Sequence, residues 1–197
     1  MHPTHRQQPT VGQSSRHAVC RRTGLGIRIL PSSLGLSVVV VIQTLVSGGQ
    51  TGVDRGALRA AISQGLSHGG WCPRGRRAED GLVPVEFDLS ECDSTDYAVR
   101  TRLNVQCSDA TLILVRGQIE GGSALTLRMA LELNKPAWVV DLGAPLPSVM
   151  WRRWVVLGRI ERLNVAGPRE TEAEGIEAEA EAFMGVLLSA AVSGPGD

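Results

Sequence analysis

SGGQTGVDRGAL at residues 47–58, entered directly from the apolar run VVVVIQTLV at 38–46, is the stretch that decides the fold. The run is almost continuously aliphatic, the pattern of a central parallel strand covered on both faces. Glycines 48, 49 and 52 then let the chain turn with its backbone N–H groups facing inward. A helix is expected over 53–64, with Val53, Ala57, Ala60 and Ala61 on one stripe and Asp54 in the first turn, where an acid suits the dipole. Its positive N-terminus faces the same spot as the glycine turn, an arrangement that holds anions. A tight turn alone would explain one glycine. Three glycines flanked by Ser47, Gln50 and Thr51 exceed that need, so Ser47, Gly48, Gly49, Gln50, Thr51, Gly52 and Asp54 are candidate ligand contacts. Neither a Gly-Lys-Ser/Thr loop nor a strict GxGxxG is present, which argues against ATP hydrolysis.

Outward from this junction, apolar segments alternate with helical patterns. A short segment leads to GGWCP at 69–73, and a long connection over 74–95 has no obvious structure, a length that is often functional. A helix is expected at 96–107 with Ser94, Thr95 or Asp96 as its cap. TLILV at 111–115 reads as a buried strand, followed by a helix at 123–134 with Ala124, Leu127, Ala130 and Leu131 inward. AWVVDL at 137–142, a Trp-rich helix at 147–157, a strand near 159–165 and a helix at 173–190 complete the order. Alternation of this kind implies right-handed crossovers and an α/β fold, a Rossmann-like three-layer sandwich with a mainly parallel sheet of about five strands. One domain over 37–191 is expected. Residues 1–36 read as a disordered extension or as translated upstream sequence, and 192–197 as a tail.

At 197 residues and 43% hydrophobic, the chain can build one well-cored domain. Its formal net charge of zero gives no reason to expect nucleic acid or an acidic membrane as partner. No apolar stretch approaches the ~20 residues of a membrane span. Cys20, Cys72, Cys92 and Cys107 form no CxxC pair, so neither a structural zinc nor a disulfide framework is expected, and a cytoplasmic setting fits.

In parallel sheets, ligands bind beyond the carboxyl ends of the strands. Three further groups fall there. RGRRAEDG (74–81) is either a solvated charged loop or a phosphate clamp of Arg74, Arg76 and Arg77, with Trp71 as a stacking surface. EGGS (120–123) is either a plain helix start capped by Ser123 or an anion cradle of Gly121, Gly122 and Ser123. Arg169 follows the last strand in AGPRE. On the 96–107 helix, Tyr97, Arg100, Thr101 and Asn104 form a polar stripe that faces either solvent or the crevice. Asp54, Glu79 and Asp80 are the obvious acids, but no Ser-His-Asp set, HExxH or paired metal spacing accompanies them. The residues suggest binding more than reaction.

The same segments resemble the molybdenum (molybdenum-cofactor) carrier family of the SLOG superfamily. The likeness rests on SGGQTGVDRGAL, GGWCPRGRRAEDG, the Tyr97/Arg100-Thr101/Asn104 helix, SDATLIL, GGSALT and LNVAGPRE, and covers about residues 40–190. It implies a Rossmann-type protein that forms homodimers or homotetramers. It also implies a cargo of molybdenum cofactor (molybdopterin), held by its phosphate until an apo-molybdoenzyme receives it, or another nucleotide-like ligand. The superfamily also holds LOG-type phosphoribohydrolases, which cleave nucleoside monophosphates and carry PGGxGTxxE. Here GGSALTLR places Leu127 and Arg128 where acids would be expected. A nucleotide sensor is a third reading.

Overall fold

Thr44–Val46 (β3) lies inside a five-stranded sheet, with Leu45 and Val46 fully buried. The computed structural model describes residues 27–32, 35–40, 42–145 and 148–192. The remaining sheet strands are Ser67–Gly69 (β4), Ala110–Val115 (β9), Ala137–Asp141 (β10) and Arg162–Ala166 (β11). Their order is β10-β9-β11-β3-β4, with every pairing parallel. All six residues of β9 are buried, as expected for a strand covered on both faces.

Helices α1 (Val53–Ser63), α4 (Ser148–Leu157) and α5 (Ile176–Val192) pack with the sheet around one large core. Leu112, Leu114 and Leu163 face Ala57, Trp151 and Met184 there, each buried leucine contributing about 2 kcal/mol. Helices α2 (Tyr97–Gln106) and α3 (Gly121–Glu132) share a smaller cluster of Val105, Met129 and Ala130. The architecture is the expected three-layer Rossmann-like sandwich. Among the described residues no helix is long and apolar enough to cross a membrane.

Three local expectations are corrected. The run 38–46 is not one strand. Gly35–Val40 (β2) pairs antiparallel with Ile27–Ser32 (β1), and the chain enters the sheet only at Thr44, where the amides of Gln43 and Thr44 both donate to the Glu161 carbonyl. The expected extension over 1–36 therefore lies outside the described residues except for this hairpin. The connection 74–95 is also structured. It contains the ribbon Arg77–Ala78 (β6) with Gly81–Leu82 (β7), and Ser90–Glu91 (β8) pairs with Trp71–Cys72 (β5). Finally, α3 buries Ser123, Thr126, Met129 and Ala130, while Leu131 is 66% exposed. The sheet covers a stripe rotated from the purely apolar one, and Thr126 tolerates burial because its hydroxyl donates to the Gly122 carbonyl at 2.8 Å.

Candidate functional site

The adjacency of β9, β11 and β3 brings the loops after their carboxyl ends together. Val53 N donates to the Pro168 carbonyl at 3.2 Å, and Glu170 N donates to Thr51 Oγ1 at 3.3 Å. Gly52, with φ 78°, permits this closure, since a Cβ there would lie 2.4 Å from the Pro168 carbonyl oxygen. Between these loops and α2 opens a crevice of about 60 Å³, walled by Gln50, Asp54, Tyr97, Arg100, Gly122, Arg169 and Glu172 among others. Gly121, Arg116, Glu120 and Pro168 line an adjoining cavity of about 380 Å³, and Glu172 belongs to both walls.

Polar groups inside the crevice are held in set directions. Gln50 is 4% exposed, and its Oε1 accepts from Thr51 N at 3.1 Å and Glu79 N at 2.9 Å. Its Nε2 therefore points away from both amides and has no hydrogen-bond partner among the described residues. Asp54 Oδ2 accepts from Arg100 Nη1 at 3.2 Å and from Gln50 N at 3.3 Å. Burial pushes the Asp54 carboxyl above its ordinary pKa, while Arg100 and the amide of Gln50 oppose that shift. Arg100 lies directly over Gly48, where a Cβ would stand 1.7 Å from Nη1, and its Nε also has no partner among the described residues. The guanidinium groups of Arg169 and Arg100 lie 5.3 and 5.9 Å from the Tyr97 ring centroid.

The acids behind the crevice are bound as acceptors. Glu79 accepts from the hydroxyls of Thr51 and Thr171, the latter at 2.7 Å. Partial burial raises its pKa, but the hydrogen bonds from Thr171 and Thr51 outweigh it and hold the carboxyl below the ordinary value. Asp80 takes a bidentate bond from Arg55, both oxygens at 2.7 Å, which lowers its pKa as well.

This geometry has a counterpart among known proteins. Residues 45–188 match the model of the circularly permutated YpsA SLOG family. The chain belongs to that family. Its first and last strands in the sheet, β3 and β11, are neighbours, the arrangement in which permuting the chain leaves a fold intact. The crystal structure named "Putative molybdenum carrier protein" from Syntrophus aciditrophicus SB is similar, at 40% identity and a TM-score of 0.73. The match covers 75% of this chain and 96% of that one. No curated protein matches the chain.

Within the SLOG domain the residues singled out from sequence divide into two groups. Gly48, Gln50, Thr51, Gly52, Asp54, Gly121, Gly122 and Arg169 converge at the carboxyl rim. Ser47 and Ser123 are buried beside it; the Ser47 hydroxyl donates to the Val165 carbonyl at 2.8 Å, joining β3 to β11. Ser123 is not the cap of α3, because Glu120 holds that position. Gly49 packs under Val83 and Leu89, and its carbonyl accepts from Arg55 Nε at 3.2 Å.

Arg74, Arg76 and Arg77 do not line the crevice or the adjoining cavity. Arg76 instead donates to the carbonyls of Val83, Pro84, Phe87 and Leu89, at 2.8–3.2 Å, and thereby shapes the connection it belongs to. Trp71, 2% exposed, presents no face to a ligand. Its main chain is instead clamped by Asn104, which accepts from Trp71 N at 2.7 Å and donates to its carbonyl at 3.0 Å. Sequence reasoning left Tyr97, Arg100 and Glu172 out of the binding set. For the first two the signal was present in the polar stripe of α2; for Glu172 there was none.

Proposed function

We propose that this SLOG protein is a small-molecule carrier whose cargo is molybdenum cofactor or another phosphorylated, nucleotide-like ligand held at the carboxyl edge of the sheet. The observation that carries the reading is the crevice at the carboxyl rim, whose wall includes Gln50 and Arg100, two residues that each hold a buried donor, Nε2 and Nε, without a protein acceptor among the described residues. Buried donors of this kind cost free energy unless a ligand or water accepts from them. The likeness to the molybdenum carrier structure supports a pterin cargo. The phosphate would lie at the start of α3 against the open backbone of Gly122, with Arg116 and Arg169 nearby and the carboxylates of Glu120 and Glu172 in the same walls. Transfer to an apo-molybdoenzyme, assembly into dimers or tetramers and a cytoplasmic setting belong to the same reading.

Carriage is favoured over N-glycosidic cleavage by the state of the acids. Arg128 and Leu127 stand where the hydrolases carry acids, and Glu79 is locked as an acceptor between two threonines. The test is to produce the protein in a molybdenum-replete host and analyse it for bound pterin by mass spectrometry and for metal. Bound pterin, or stabilisation by added nucleotides of about 2.7 kcal/mol at a hundredfold excess over Kd, is the expected result. Protein that carries no pterin and is not stabilised by nucleotides would remove the proposal.

A further inference from the structure

The glycine turn after β3 is already supplied with acceptors by the chain itself. Gln50 N donates to Asp54 Oδ2 at 3.3 Å and Thr51 N to Gln50 Oε1 at 3.1 Å. Gly52 N donates to Glu177 Oε2 at 3.2 Å and Val53 N to the Pro168 carbonyl at 3.2 Å. Four consecutive amides are therefore taken, two of them by carboxylates. A phosphate seated here would have to displace those acceptors and would meet the like charge of Glu177 and Asp54. The start of α3 differs, since no side chain caps it and a Cβ built on Gly122 meets nothing within 4 Å.

Glu177 stands where an anion would. It lies in the first turn of α5, and its carboxylate reaches the N-cap residue of α1, so the positive ends of two helices share it. Its other oxygen lies 3.2 Å from Arg59 Nη2. A main-chain N–H, a guanidinium and a helix N-terminus that meet at one carboxylate are the donors that hold an oxyanion. The side chains of Arg59 and Glu177 are 45% and 21% exposed, so small ions in solution reach this position. Glu170, the neighbouring acid, is spent on the amides of Gly175 and Glu177.

Building on the reading of a phosphorylated cargo, we infer that Glu177 is the resident anion of the α1 N-terminus and keeps the cargo's phosphate off the glycine turn. It is a positioning residue that acts by exclusion. The probe is inorganic phosphate, compared with chloride at matched ionic strength and followed by amide NMR of isotope-labelled protein and by thermal denaturation. In the wild-type protein the Gly52 amide is expected to stay unmoved. In Glu177→Ala it is expected to shift saturably, because Gly52 N and Arg59 are left for the added anion. The melting temperature of that variant should rise in phosphate by about 2–4 °C more than that of the wild type, the response of a domain this size to a ligand at several times its Kd. Taking the difference cancels the general stabilisation that excluded anions give any protein. Glu177→Gln retains an oxygen for the Gly52 amide and so holds the loop, but its neutral group yields to phosphate, and the same amide shift should appear at higher concentration. A wild-type Gly52 amide that moves with phosphate, or one unmoved in both variants, would overturn the assignment. If the variants respond as expected but the wild-type protein takes neither pterin nor nucleotide, the role of Glu177 stands and carriage falls.

Discussion

Asp54 and Arg100, one in the first turn of α1 and the other on α2, meet as a buried ion pair at 3.2 Å over the backbone of Gly48. Their side chains are 5% and 13% exposed, so removing one partner strands the other away from water. Arg100→Ala is expected to cost about 3 kcal/mol in urea denaturation at neutral pH. Part of the cost is limited because the Asp54 carboxyl, already raised by burial, can take up a proton once Arg100 no longer opposes that shift. Adding Asp54→Asn should recover at least half of the loss. A double variant no more stable than Arg100→Ala alone would show that packing, rather than stranded charge, sets the cost.

Gly48→Ala tests the same pair from the backbone side. A Cβ would stand 1.7 Å from Arg100 Nη1, but this contact is with the tip of a long side chain that can swing aside. Moving it breaks the pair with Asp54, whose Oδ2 lies 2.8 Å from the same Cβ, so the fold should lose about 3 kcal/mol, close to the cost of Arg100→Ala. Binding of the pterin or nucleotide that the wild-type protein takes should weaken, because Arg100 loses its anchored direction in the crevice wall. Retained affinity in a folded Gly48→Ala protein would remove Arg100 from the binding wall.

Gly52 presents the opposite case. With φ 78° and the Pro168 carbonyl oxygen 2.4 Å from a built Cβ, both the conformation and the space exclude a side chain, and the obstruction is main chain. Gly52→Ala should cost about 2–4 kcal/mol through strain and separation of the two loops. Thermal denaturation by circular dichroism would detect it, and a melting temperature unchanged from wild type would contradict the close approach.

The elements that build this site were largely legible, but the convergence was not. Hydrophobic period and glycine placement located α1, β9, β10 and the rim after β3, because each is a local property. That Pro168 meets Gly52 depends on β11 inserting between β9 and β3, a pairing more than a hundred residues apart that no local pattern encodes. The break between Val40 and Thr44 was hidden inside an unbroken apolar run. The cluster Arg74, Arg76 and Arg77 reads as an anion clamp because composition cannot show where a guanidinium points; Arg76 is spent on carbonyls, and none of the three lines the crevice.

That distinction gives a separate prediction. Arg76 donates to four main-chain carbonyls between Val83 and Leu89. Arg76→Ala should destabilise the protein by about 1.5–3 kcal/mol, the range for hydrogen bonds to a charged group. Arg77→Ala, on an exposed residue of the ribbon, should stay within about 0.5 kcal/mol. Equal, small effects of the two changes would mean that Arg76 does not organise this connection.

Glu79 ties together three segments, accepting from Thr51 after β3 and from Thr171 after β11 while its own amide donates to Gln50. Burial works against its ionised form, but the Thr171 and Thr51 hydrogen bonds prevail and place its folded pKa below the ordinary 4.5. A depressed carboxylate pKa contributes stability that is fully present above the unfolded value and disappears as pH falls through the folded one. Glu79→Gln should therefore cost about 1–2 kcal/mol at pH 7, and the gap from wild type should close as the pH is lowered from about 5 to 3, where the wild-type carboxyl itself protonates. Urea denaturation of both proteins across that range gives the comparison. A gap that stays constant with pH would mean the threonines hold Glu79 by shape alone and not through its charge.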